Sequence, residues 1–372
     1  MSVSFSKVLK KWLFSIDRVL LFSAFSLIAI GTWVSVASTP ALAMKLGLPP
    51  FHFVKLHLMV VPVSIFVMLF ISFLQPKYIR RLAIIGYFVC FGLVLCTLIF
   101  GAEIKGARRW LNIFGFSLQP SEFLKPVMAV ITAWLVSEQY RDRGFPGIIF
   151  SIISIILVTP LLLSQPDIGM SVIITGTFFA QLFISGLSIF MIGAFVATAL
   201  SAMFGLYLVY PHFSDRIDRF FMKTEDTDIY QIQKSIEAFR SGGFFGKGPG
   251  EGVVKTFVPD SHSDFVFSVI GEEYGFIICI LIIFLFALFI TRAISKIMRS
   301  SNMFSFTTVF GILFQITLQV LINICTSLNL IPTKGMTLPF ISYGGSSMLA
   351  TAISFGIVMS LTKKNLLSRE IL

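Results

Sequence analysis

The stretch Val258-Pro259-Asp260-Ser261-His262-Ser263-Asp264-Phe265 places a carboxylate where a long apolar run begins. Chemistry leaves two readings of Asp264 open. It caps the N-terminus of the coming helix, or it is a general base facing an amphiphilic substrate at headgroup depth. His262 stands two residues before it. Glu272 and Glu273 lie eight and nine residues further on, inside the apolar run. Ionisable groups at that depth are costly, so they point to function or to an internal ion pair. A second group of chemistry-bearing residues is Arg108-Arg109-Trp110. It reads as interfacial anchoring or as a bidentate clamp on an anionic headgroup. Glu122 and Lys125 follow at i, i+3 spacing and can pair. A third group is Lys334, followed by Ser342-Tyr343-Gly344-Gly345-Ser346-Ser347. Its small residues suit close helix packing as well as a ligand site. Between these, residues 243–252 hold five glycines. They read as a flexible turn, or as backbone N–H groups that approach a phosphate; the GK[ST] ending of a Walker loop is absent.

These groups need a scaffold, and the composition says which kind. Of 372 residues, 56% are apolar before glycine is counted, against about 45–50% with glycine in a soluble domain. Charged residues make up 13%, about half the usual share. This excludes disordered, collagenous and nucleic-acid-binding classes and predicts a polytopic membrane protein. Four cysteines lie inside apolar runs, and four histidines are scattered without metal-ligand spacing, so no disulfide framework or metal centre is assigned. The first apolar run is span-length and lacks a clear cleavage site, so it reads as a span rather than a signal peptide.

Runs of about 20 apolar residues predict ten spans: 19–38, 55–74, 81–100, 121–137, 147–164, 167–186, 188–210, 265–290, 304–328 and 339–362. The expected fold is all-α and polytopic, a single integral membrane domain over 1–372. With both termini cytoplasmic, the inner segments hold fifteen of the 29 bases and only four acids, so the whole net charge of +11 falls inside. The long connection at 211–264 is then extracytoplasmic, and long loops in compact proteins are usually functional. Within it, Asp228 with Gln231 reads as a helix cap, and Ile229, Ile232, Ile236 and Phe239 predict an amphipathic helix at 229–240. That helix either lies on the bilayer or walls a groove. On this topology the cations and carboxylates converge on the outer face. That suits a lipid pyrophosphate worked on by an acid/base, and equally a transporter's outer gate.

The stretches GARRWLNIFGFSLQPSEFLKP (106–126), QPDIG (165–169), YQIQKSIEAFRSGGFFGKGPGEG (230–252), VPDSHSDFVFSVIGEEYGF (258–276) and IPTKGMTLPFISYGGSS (331–347) occur in one order. Together they resemble the SEDS (shape, elongation, division and sporulation) family of bacterial cell-wall synthases. The Pro-Thr-Lys-Gly and GPGEG segments resemble its division branch more than its elongation branch. Ser263 stands where the family more often has threonine. The resemblance implies ten spans with a large extracytoplasmic loop, in the bacterial inner membrane at the septum. It implies a glycosyltransferase that polymerises lipid II, the disaccharide-pentapeptide on undecaprenyl pyrophosphate, by inverting transfer. The family's essential aspartate falls on Asp264, with Arg109, Lys334 and Arg108 or a divalent cation (Mg or Mn) offsetting leaving-group charge. Implied partners are membrane lipid, a class B penicillin-binding protein transpeptidase and other divisome proteins. A lipid II flippase and an elongation synthase stand as the alternatives.

Overall fold

The computed structural model describes residues 10, 12–104, 107–113, 116–211, 214, 227–258, 260–331 and 335–363. Its helices are α1 (Arg18–Ser38), α2 (Pro40–Lys45), α3 (His52–Phe73), α4 (Pro76–Phe100), α5 (Pro120–Arg141), α6 (Gly147–Ser164), α7 (Ile168–Ile184), α8 (Ile189–Val209), α9 (Thr227–Gly242), α10 (Val266–Ile297), α11 (Met303–Ser327) and α12 (Gly345–Leu361). A helix stands at each of the ten expected spans, joined by the short α2 and by α9 in the long loop. Among the described residues, six segments are long and apolar enough to cross a membrane by length and composition alone. Both α7 and α12 have 17 residues, and α5 buries Glu122 and Lys125. The core lies where α1, α10, α11 and α12 meet. There Phe355 stacks on Phe289 at 4.0 Å and meets Phe340 edge-on at 4.7 Å.

Four departures from the sequence reading shape the site. The loop after α4 is a small antiparallel sheet, β1 (Ala102–Ile104), β2 (Ala107–Ile113) and β3 (Phe116–Leu118), in the order β1-β2-β3. The tenth span does not begin at 339. Residues 339–344 stay irregular, with Phe340 at φ 62°, and the helix starts only at Gly345. Gly31 of α1 permits this, because a Cβ there would lie 2.0 Å from the Phe340 carbonyl oxygen. The helix in the long loop runs Thr227–Gly242, so Asp228 lies inside it. It packs on protein rather than lying on the bilayer alone. Ser235 and Ala238 are fully buried, the Ser235 hydroxyl donates to the Ser327 carbonyl at 2.7 Å, and Phe239 meets Phe267 at 5.8 Å.

The fourth departure is in α10. It runs seven residues past the expected end and is broken at Gly275 (φ 77°, ψ −179°). A break at membrane depth strands backbone groups that must be satisfied within the protein. The glycine-rich loop satisfies them. Lys247 and Gly248 N–H donate to the Glu272 and Glu273 carbonyls at 2.9 and 3.0 Å. The Phe276 and Ile277 N–H groups donate to the Gly243 and Phe244 carbonyls at 3.0 and 3.4 Å. These are the donors and acceptors that an unbroken helix would have paired with each other. The fit needs glycine at 275 and 246, because a Cβ on either would lie 2.3 or 2.2 Å from a backbone oxygen. These loop amides therefore serve α10, and the phosphate-cradle reading of 243–252 does not hold for them.

At the basic end, the extension of α10 brings Arg292 and Lys296 to Asp17, at 2.9 and 3.1 Å. Asp17 also accepts from Val19 N–H as the N-cap of α1. Burial raises its carboxyl, but the two cations and the amide outweigh that and hold it below its ordinary 3.8. A depressed folded pKa means the clamp is fully present above about pH 4 and is lost as pH falls through the folded value. Asp17→Asn keeps the cap and removes the charge. Arg292 is partly exposed, so the expected loss near neutral pH is about 1 kcal/mol. Melting curves from pH 3 to 7 should show the gap between wild type and variant closing on acidification.

Candidate functional site around Asp264

Asp264 sits in a turn over 260–265, with its N–H donating to the Asp260 carbonyl at 3.1 Å. The N-cap of α10 is Phe265, whose side chain makes no capping bond; Asp264 lies one residue outside. The helix-capping reading of Asp264 is thereby weakened. Its carboxylate is instead set against Gly335, where a Cβ would come within 3.0 Å of Oδ2. Residues 262–264 are joined to the 335–343 segment throughout. Tyr343 N–H donates to the His262 carbonyl at 2.9 Å. Ser342 Oγ donates to the Ser263 carbonyl at 2.5 Å and accepts from Leu338 N–H at 2.7 Å. The His262 ring lies 6.0 Å from that of Tyr343, whose phenol is pushed up by burial.

One face of α11 holds this junction from below. Gln315, Gln319 and Asn323 recur every fourth residue and so share that face. Asn323 Nδ2 donates to the Asp264 carbonyl at 2.9 Å and to the Met336 carbonyl at 2.6 Å. Gln319 Nε2 donates to the Thr337 carbonyl at 2.7 Å, and its Oε1 accepts from Lys125 Nζ at 2.9 Å. Gln315 donates to the Lys125 carbonyl at 2.8 Å. Lys125 is buried and pairs with Glu122 at 2.8 Å. The i, i+3 pair expected from sequence therefore forms, on the helix that abuts the Asp264 junction.

The arginines behave differently from the clamp that their adjacency suggested. Consecutive strand residues face opposite sides. Arg108 is half-exposed and meets Glu103 of β1 at 3.2 Å. Arg109 turns to the α6–α7 connection. Its Nε donates to the Gln165 carbonyl at 3.1 Å, its Nη2 donates to the Pro166 carbonyl, and Nη1 lies 3.7 Å from Asp167. Asp167 is the N-cap of α7, accepting from Met170 N–H, and receives the Ser121 hydroxyl at 3.4 Å. The next turn joins the same junction, because Gly169 lies against the Met336 side chain. Ser346 accepts from Gln119 N–H at 2.9 Å, tying α12 to the entry of α5. Lys334 lies outside the described residues; Gly335, which touches Asp264, is its neighbour in sequence.

Glu272 and Glu273 are turned away to the glycine-rich loop. Glu272 accepts from Val254 and Lys255 N–H at 2.8 and 2.7 Å. Glu273 accepts from Gly250 N–H at 3.2 Å and from the buried Lys255 ammonium, which also donates to the Ala37 carbonyl at 3.0 Å. Among the described residues, no three His, Cys, Asp or Glu side chains come together to hold a metal. Sequence reasoning missed Asp167, Asn323, Gln319 and Lys255. The four-residue recurrence of amides in an apolar span was a usable signal for two of them.

The Lys255–Glu273 pair generates a prediction. Removing one partner of a buried pair leaves an uncompensated charge, whereas replacing both is far milder. Lys255→Met is expected to destabilise by about 3–5 kcal/mol. Lys255→Met with Glu273→Met should recover most of that in thermal melts of the purified protein.

Comparisons with known proteins agree with this architecture. The family model described as cell cycle protein, FtsW/RodA/SpoVE, matches residues 17–366. A probable peptidoglycan glycosyltransferase FtsW of Caulobacter vibrioides is 40% identical over 354 residues, 95% of this chain and 90% of that protein. Stage V sporulation protein E of Bacillus subtilis is 33% identical, over 84% of this chain and 87% of that one. Among solved structures, a chain of a peptidoglycan synthase complex that coordinates polymerization and crosslinking superposes with a TM-score of 0.77. It is 24% identical and covers 93% of this chain and 97% of that one. The rod shape determining protein RodA of Thermus thermophilus gives 0.68 at 24% identity, covering 93% and 96%. With the motif order and the ten-helix arrangement, these place the chain in the FtsW/RodA/SpoVE (SEDS) family of multi-pass membrane proteins.

Proposed function

We propose that this protein is a peptidoglycan glycosyltransferase that polymerises lipid II into glycan strands during septal wall synthesis. The observation that carries the reading is the fixed placement of Asp264. Its turn is bonded to 336–343 on one side and to Asn323 on the other, with its carboxylate against Gly335. A positioned carboxylate on a rigid junction is what a general base requires. The names of the relatives support the activity, and the peptidoglycan synthase complex supports a penicillin-binding-protein partner, with other divisome proteins around it.

In this reading both termini are cytoplasmic and the Asp264 end faces outward. Asp264 accepts the proton of the acceptor sugar hydroxyl. That oxygen forms its bond to the donor's anomeric carbon as the bond to undecaprenyl pyrophosphate breaks, with inversion. One base suffices, unlike the paired carboxylates of a retaining glycosidase. Negative charge develops on the leaving pyrophosphate and needs preorganised cations. Lys334 is assigned there by the family resemblance. Arg108 is free to swing, because its pair with Glu103 is solvent-exposed and weak. Arg109 contributes by fixing β2 on the α6–α7 turn and by its field. The transporter alternative expects ionisable groups along a midplane path, whereas Lys125, Glu122, Glu273 and Asp167 are partnered.

Asp264→Asn keeps the shape and removes the base. Strand formation from labelled lipid II in proteoliposomes should fall by about 10²-fold or more, with lipid II binding little changed. Near-wild-type turnover contradicts the assignment. Lipid II crossing the bilayer without strands, in wild type supplied with its transpeptidase, favours the transporter.

A further inference from the structure

The end of the molecule opposite Asp264 holds a cavity of about 430 Å³, within the range of small-ligand sites. Its walls are the first turns of α4 with Lys77 and Arg80, the last turns of α5 with Trp134, Glu138 and Arg141, and the start of α11. None of these residues takes part in the Asp264 junction.

Two features of this cavity are unbalanced in the same sense. Its three cations share one carboxylate. Glu138 lies 4.0 Å from Arg80 and also pairs with Arg141, while Lys77 has only the Tyr78 ring at 4.8 Å and no ion pair among the described residues. Arg80 stacks over the Trp134 ring at 5.7 Å. Finally, α4 opens with no side-chain cap and no acid in its first turn, so the positive end of its dipole is uncompensated. Positive charge and a helix N-terminus both call for an oxyanion with several acceptor oxygens.

The surface leading away from the cavity names the rest of the ligand. Tyr78, Leu82 and Ile85 are exposed to 43%, 50% and 60% and follow one another along one stripe of α4. Basic pockets between helices at a membrane surface take phospholipid headgroups. We propose that this cavity binds the phosphodiester of an anionic phospholipid from the leaflet at the basic end, with its acyl chains along the Tyr78–Ile85 stripe.

The full-length protein in detergent would be titrated with dioleoylphosphatidylglycerol, and bound lipid counted by native mass spectrometry. Dioleoylphosphatidylcholine and inorganic phosphate serve as comparison probes. Wild type should prefer phosphatidylglycerol. Lys77→Gln and Arg141→Gln, both at exposed positions, should each weaken binding about fivefold. Arg299→Gln makes the same charge change at an exposed position outside the cavity and should leave binding unchanged. Saturation by inorganic phosphate alone, with no lipid preference, would make a soluble anion the ligand and overturn the lipid assignment. Equal weakening by Arg299→Gln, or no weakening by Lys77→Gln and Arg141→Gln, would show diffuse charge attraction and overturn the site.

Discussion

The carboxamide of Asn323 is the constraint on which the Asp264 junction depends. It is buried in α11, and its one nitrogen donates to two backbone carbonyls, those of Asp264 and Met336. Both belong to irregular segments at the end of a helical bundle. In a membrane protein such backbone survives only where protein groups satisfy it. Around Asn323 the accounting is nearly complete. Gln319 takes the Thr337 carbonyl, Ser342 takes the Leu338 N–H and Ser263 carbonyl, and the Tyr343 N–H takes the His262 carbonyl. The two segments thus form one junction, and Asp264 inherits its rigidity.

The same economy recurs one helix over. The break at Gly275 would leave α10 with orphaned amides and carbonyls, and the glycine-rich loop supplies their complements. Glu272 and Glu273, with Lys255, then lock the loop in place. Acids that read as candidate site residues therefore act by holding the loop that follows α9. The helix that follows Asp264 is fixed along its length, at the loop in its middle and by Asp17 at its far end.

Much of this was legible in the residues. The longer spans announced themselves because an apolar run of helical length has no other stable fate in a bilayer. Glu122 and Lys125 declared their pairing by spacing alone. Asp264 stood out because a carboxylate at the head of an apolar run needs a reason. What stayed hidden depended on partners distant in sequence. The pairing of Arg109 with Asp167 spans 58 positions, and the bond of Asn323 to Asp264 spans 59. The small sheet was obscured by charged residues in a short loop, although its alternation decides which way each arginine faces. The break in α10 was invisible because one glycine in an apolar helix is common; only the fit of Gly275 against Phe244 and Gly246 marks it.

The most direct test of the account is the pH–rate profile of glycan polymerisation by Asn323→Ala, compared with wild type at equal folded protein and saturating lipid II. If the junction positions the base, the variant keeps the acid limb of the profile. Its kcat falls by about tenfold or more, as geometry at the reacting atoms loosens, while KM changes little. A variant that polymerises at the wild-type rate, with Asn323 no longer holding Asp264, would contradict the claim that this junction builds the active site.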